Sequence, residues 1–77
     1  MNNVKTVELG LWHALLDDDE AAKYRPEYQN GALRKHAEVL HRLGLIDGCE
    51  MIELNELADA RYAAAAEAYI DGQFGGE

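Results

Sequence analysis

Apolar side chains recur every three or four residues from Leu33 to Leu43: Leu33, Ala37 and Leu40 in one row, with His36, Val39 and Leu43 beside it. A repeat of that period turns one stripe of a helix toward a core. It stops at Gly44, a residue suited to the left-handed backbone that closes a helix, and Leu45 is placed to pack back on the last turn. Asp47 and Glu50 then have the spacing of a capping box, with Asp in the Ser/Thr position. Ile46 and Met51 have the spacing of a hydrophobic staple. A stop, a start and a staple within eight residues predict a tight αα-hairpin turn.

The second arm of that hairpin is expected from about Gly48 to Ile70, where Asp71-Gly72 would end it. Met51, Leu54, Ala58, Tyr62, Ala65 and Tyr69 form its inner face, flanked by Ile52 and Leu57. The run Ala63–Ala66 offers small side chains for close helix approach. The start of the first arm has two readings. Pro26 suits a first helical turn, whereas Asn30-Gly31 is a turn signal that would make Asn30 the cap of a shorter helix. Nearer the amino terminus, Thr6 can cap a short helix with a stripe of Leu9, Trp12, Leu15 and Leu16, ending at Asp17-Asp18-Asp19. Gly10 interrupts that stripe at a cost in helix propensity. A short turn at Glu20–Tyr24 would bridge it to the hairpin. The fold class is therefore all-α: an antiparallel helical hairpin plus a short N-terminal helix, paired into a helical bundle. One domain spans 1–71, and 72–77 form a flexible tail.

Pairing enters the picture because of size. A chain of 77 residues buries only about 60% of its unfolded surface, and twelve of its apolar residues are alanines, which contribute little buried area. The single cysteine, Cys49, makes no intramolecular disulfide, and no Cys/His spacing suggests structural zinc. Self-association as a homodimer is the expected support. The lone thiol and the lack of a signal peptide or an apolar run of membrane length point to the cytoplasm and away from the membrane.

Charge narrows the partners. Fifteen acids against seven bases leave a net charge of -8, which disfavours direct contact with nucleic acid. The charges also divide between the arms: Arg34, Lys35 and Arg42 against Glu38 on the first, and Glu50, Glu53, Glu56, Asp59, Glu67 and Asp71 against Arg61 on the second. Opposite signs on antiparallel neighbours favour that pairing and help to set its register.

Candidate chemistry is sparse. Glu50, Glu53, Glu56 and Asp59 advance three residues at a time as a loose acidic stripe, readable as a mimic of spaced phosphates or as a plain solvated face. Glu38 and His41 form one Glu-x-x-His pair, where a di-iron bundle needs two. His36 and His41 stand about 140° apart on a helix and do not converge, and His13 with Asp17 supplies only two ligands. Cys49, in a first helical turn, is opposed by Asp47 and Glu50. The absence of a phosphate loop or a nucleophile–base arrangement argues against an enzyme, and neither a metal nor a cofactor is expected. Trp12, Tyr24, Tyr28, Tyr62 and Tyr69 read equally as core or as interface anchors. A helix-turn-helix is disfavoured because the would-be recognition helix opens Cys49-Glu50-Met51-Ile52-Glu53.

These readings converge on a small acidic, non-enzymatic interaction protein that modulates or inhibits another macromolecule, of the kind used by phages and mobile elements. It would act as a polyanion mimic toward a nucleic-acid-binding protein, with Glu50, Glu53, Glu56, Asp59, Trp12, Tyr62 and Tyr69 as the contact set. The alternatives are a self-associating structural protein with no tight partner, and a regulator that pairs with a DNA-binding protein without touching DNA.

Overall fold

The computed structural model describes residues 3–75, with side chains described through Ala68. Among these residues there is no strand. Four helices follow one another: α1 (Val4–Leu16), α2 (Asp19–Tyr24), α3 (Pro26–Arg42) and α4 (Gly48–Gly75). The hairpin of α3 and α4 is the framework, and α1 and α2 pack against it.

The reversal between α3 and α4 is built from the local signals in the sequence. Gly44 takes a φ of 78°. The Leu45 amide donates to the Leu40 carbonyl and the Gly44 amide to the His41 carbonyl, both at 3.0 Å. That pair of bonds is a complete Schellman motif and satisfies carbonyls that α3 leaves open. On the far side of the turn, the Glu50 amide donates to Asp47 Oδ1 at 2.7 Å, and the Asp47 amide donates to Glu50 Oε1 at 3.0 Å. Ile46 is buried and Met51 packs on the core, which completes the staple.

The core forms where three helices meet. Trp12 from α1, Leu33, Ala37 and Leu40 from α3, Ile46 from the turn and Leu54 and Ala58 from α4 make one buried cluster, with Leu9, Leu15, Leu16, Leu45 and Met51 around it. Trp12 is fully buried, and its indole N–H donates to the Leu33 carbonyl at 2.9 Å. Gln29 is also buried: its Nε2 donates to the carbonyls of Leu15 at 2.8 Å and of Leu16 and Asp18 at 3.3 Å. A side chain of α3 thus closes the C-terminal end of α1, whose last carbonyls have no helical partner.

Of the two readings for the start of α3, the structure adopts Pro26. Arg25, held outside the helical region at φ -141° and ψ 55° as the proline after it requires, ends α2 and begins α3. The helix passes through Asn30-Gly31, and Asn30 bonds to Asp59 instead of capping. Gly31 is exposed, and an added Cβ there would meet nothing within 4 Å. Gly31→Ala is therefore expected to stabilise the fold by about 1 kcal/mol, raising the thermal midpoint by roughly 4–8 °C, as read by circular dichroism.

Several boundaries differ from expectation. The cap of α1 is Asn3, whose side chain accepts from the Thr6 amide at 3.1 Å, so Thr6 lies a turn inside the helix. The Glu20–Tyr24 turn is a short helix capped by Asp18. The backbone of α4 continues to Gly75, past the Asp71-Gly72 stop; a glycine weakens a helix by about 1 kcal/mol but does not by itself terminate one. Gly76 and Glu77 lie outside the described residues. On α4, Ile52 and Leu57 are exposed, because α3 and α2 pack against the Leu54–Ala58 side.

Candidate functional site

The acidic row of α4 divides into two classes once the fold is in place. Glu50 is held from two directions: Lys5 Nζ of α1 donates to Oε2 at 2.8 Å, and the capping-box amide of Asp47 donates to Oε1. The Lys5 ammonium first, and that amide second, hold the Glu50 carboxyl below its ordinary range; the same contact raises the Lys5 pKa. Asp59 is held by Asn30 Nδ2 at 3.0 Å and by Arg34 Nη1 at 3.0 and 2.9 Å from its two oxygens. The Asn30 hydrogen bond and the Arg34 guanidinium hold its carboxyl down. Both acids serve the fold, tying α1 and α3 to α4.

Glu53 and Glu56 differ. Both are exposed and join no ion pair among the described residues. By helical geometry they lie with Ala60 and Ala63 on the side of α4 turned away from the core, and Glu67 follows on the same side. Ile52, 56% exposed, and Leu57, 45% exposed, border them. The face therefore offers free carboxylates with apolar edges, a mixture suited to a protein surface contact.

The aromatic members of the contact set separate as well. Trp12 is core, so its ring is not presented on the surface of the protomer. Tyr62 is 38% exposed on the opposite edge of α4, and the Tyr69 side chain lies outside the described residues. Tyr24 and Tyr28 are more exposed than Tyr62 and line a shallow cleft of about 510 Å³ with Leu15, Asp18, Glu20, Ala21 and Arg25. No protein-family model, curated protein or solved structure matches the chain. The surface must therefore be read from its own chemistry.

The remaining titratable candidates stand apart from this face. His36 Nε2 pairs with Glu8 at 3.0 Å across α1 and α3, and Arg42 with Glu38 at 2.6 Å along α3. His13 stands edge-on to the Trp12 ring. Cys49 is exposed. Among the described residues, no three His, Cys, Asp or Glu side chains gather as a metal site, and no helix is long and apolar enough to cross a membrane.

Legible in sequence, but not assigned to the contact set, was Glu67, about three helical turns beyond Glu56 on the same side. The partners of Glu50 and Asp59 had only a weak signal, the opposite charge of the two arms. Those partners carry a pH signature. Glu50 and Asp59 have folded pKa values below their unfolded ones, so their contribution to stability is present above the unfolded values and disappears as pH falls through the folded ones. The net charge acts the other way, since protonation relieves self-repulsion. The Glu50→Gln, Asp59→Asn double variant is therefore expected to lose less stability than wild type between about pH 5 and pH 2. Urea unfolding across that range measures the difference; parallel curves would show that the two contacts do not form.

Proposed function

We propose that the chain is a small acidic, non-enzymatic interaction protein that binds a basic, nucleic-acid-binding protein through the outer face of α4 and modulates it as a polyanion mimic. The observation that supports this reading is the division of the acids. The fold consumes Glu50 and Asp59, yet leaves Glu53, Glu56 and Glu67 free on one side of a long helix. Glu53 and Glu56, three residues apart on a rigid helix, stand about 5–6 Å from each other, close to the spacing of phosphates along a nucleic-acid strand. Glu67 adds a third carboxylate about 16 Å beyond Glu56 at 1.5 Å per residue, and Ile52 and Leu57 supply apolar contact at the rim. Asp59 belongs to the hairpin and not to the display.

The test is charge reversal confined to the free acids. Glu53→Lys and Glu56→Lys together change no contact of the fold and are expected to leave its stability within about 0.5 kcal/mol. Capture from a lysate of the organism that encodes the chain, wild type beside the double variant, should retain a basic protein only on wild type. Duplex DNA should displace it, and retention should fall steeply with salt. Equal retention by the variant, or indifference to DNA, would refute mimicry.

A further inference from the structure

From the structure we infer that α1 carries a second interaction surface, whose occupant is another copy of this chain, packed antiparallel across a two-fold axis beside Gly10. The surface is separate from the outer face of α4 and does not depend on what that face binds.

Val4, Val7 and Leu11 are 52%, 60% and 58% exposed. Their spacing of three and four residues aligns them as a ridge, and Ala14 and Gly10 continue the same side within an arc of about 120°. No charged residue lies in that arc. The two charges of α1 are both engaged elsewhere: Lys5 bonds to Glu50 and Glu8 to His36. In a chain that is 29% charged, one side of a helix has been left wholly uncharged.

Gly10 adds an independent observation. It sits inside α1, where glycine costs about 1 kcal/mol relative to alanine, and an added Cβ there meets nothing within 4 Å. Among the described residues, nothing at Gly10 requires a glycine. Close approach of a second helix would, and Gly10 with Ala14 has the spacing that permits it.

Charge selects the occupant. Two copies, each at -8, repel one another through most orientations; a contact through the uncharged side of α1 keeps the free acids of α4 out of the interface. Antiparallel pairing sets Val7 of one copy against Leu11 of the other. It also brings the positive first turn of each α1 toward Asp17, which follows the other's last turn and joins no ion pair among the described residues, whereas Asp18 caps α2 and Asp19 pairs with Arg61. A lipid surface fits less well, because interfacial helices border their apolar side with free Lys or Arg. The ridge exposes on the order of 300 Å² per copy, the size of patch that is often functional. That is below the roughly 800 Å² per partner of stable complexes, so the pairing is concentration-dependent.

Sedimentation velocity from low micromolar to near-millimolar protein tests this. Wild type should pass from monomer to dimer. Val7→Glu should remain monomeric throughout with unchanged helical content. Gly10→Leu should weaken dimerisation at least tenfold while raising the thermal midpoint of the dilute monomer, two effects that a merely structural glycine would not produce together. A wild type monomeric at every concentration would overturn the inference. So would a dimer that survives both substitutions, or binding of α1 to zwitterionic vesicles by a chain that never dimerises.

Discussion

Trp12→Ala is expected to leave the chain largely unfolded at 37 °C. Trp12 is the largest of the fully buried side chains and joins α1 to both arms of the hairpin. Truncating a buried Trp to alanine costs about 3–5 kcal/mol, and the loss of the indole N–H removes a bond to the Leu33 carbonyl. A domain this short has a total of roughly 5–10 kcal/mol to lose. Trp12→Phe retains a ring but not the donor, and should cost about 1–2 kcal/mol. Urea titration followed by circular dichroism gives both values, and Ile52→Ala, on an exposed position, should stay within about 0.5 kcal/mol of wild type. Alanine at residue 12 with an unchanged midpoint would mean that α1 does not pack on the hairpin through Trp12.

The second large effect belongs to Gln29. Its amide donates to the carbonyls of Leu15 and Leu16, which end α1, and of Asp18, which caps α2, a position where only a donor is tolerated. Gln29→Glu keeps the shape and replaces that donor with a carboxylate facing carbonyl oxygens, at the negative end of the α1 dipole. At pH 7 the variant should lose about 2–4 kcal/mol. The introduced carboxyl has a folded pKa raised above its unfolded value, so the penalty is absent below the unfolded value, about 4.3, and grows as pH rises through the folded one. Gln29→Leu loses the same hydrogen bonds without a titrating group, and its deficit should not follow that pH profile. Unfolding curves for both variants at about pH 4 and pH 7 separate the two behaviours; a Gln29→Glu deficit independent of pH would show that the side chain does not face those carbonyls.

The parts of the fold that were legible in the sequence are those whose causes are local. Gly44, Leu45, Ile46, Asp47, Glu50 and Met51 act on neighbours within a few residues, so their spacing alone specifies the turn. The inner rows of α3 and the Leu54–Ala58 side of α4 follow from helical period in the same way. The choice between Pro26 and Asn30 could not be made locally, because it depends on Asn30 finding Asp59, 29 residues away.

The candidate surface was less legible for the same reason. Glu50, Glu53, Glu56 and Asp59 are equivalent in a sequence row. What separates them is Lys5, 45 residues from Glu50, and Arg34, 25 residues from Asp59. Trp12 reads as either anchor or core until α1 is docked. The apolar ridge of α1 was obscured because Val4 and Val7 precede the stripe on Leu9, Trp12, Leu15 and Leu16, and only docking reveals which of the two stripes is covered.

The outer face of α4 and the α1 ridge both depend on α3 and α4 lying side by side. Spin labels at Tyr28→Cys and Glu67→Cys in a Cys49→Ser background, diluted with unlabelled protein, measure that arrangement by pulsed electron resonance. With arms about 8–10 Å apart, the labels should lie within about 30 Å of each other. One continuous helix through the turn would hold them about 60 Å apart at 1.5 Å per residue, and that distance would contradict the hairpin and both surfaces built on it.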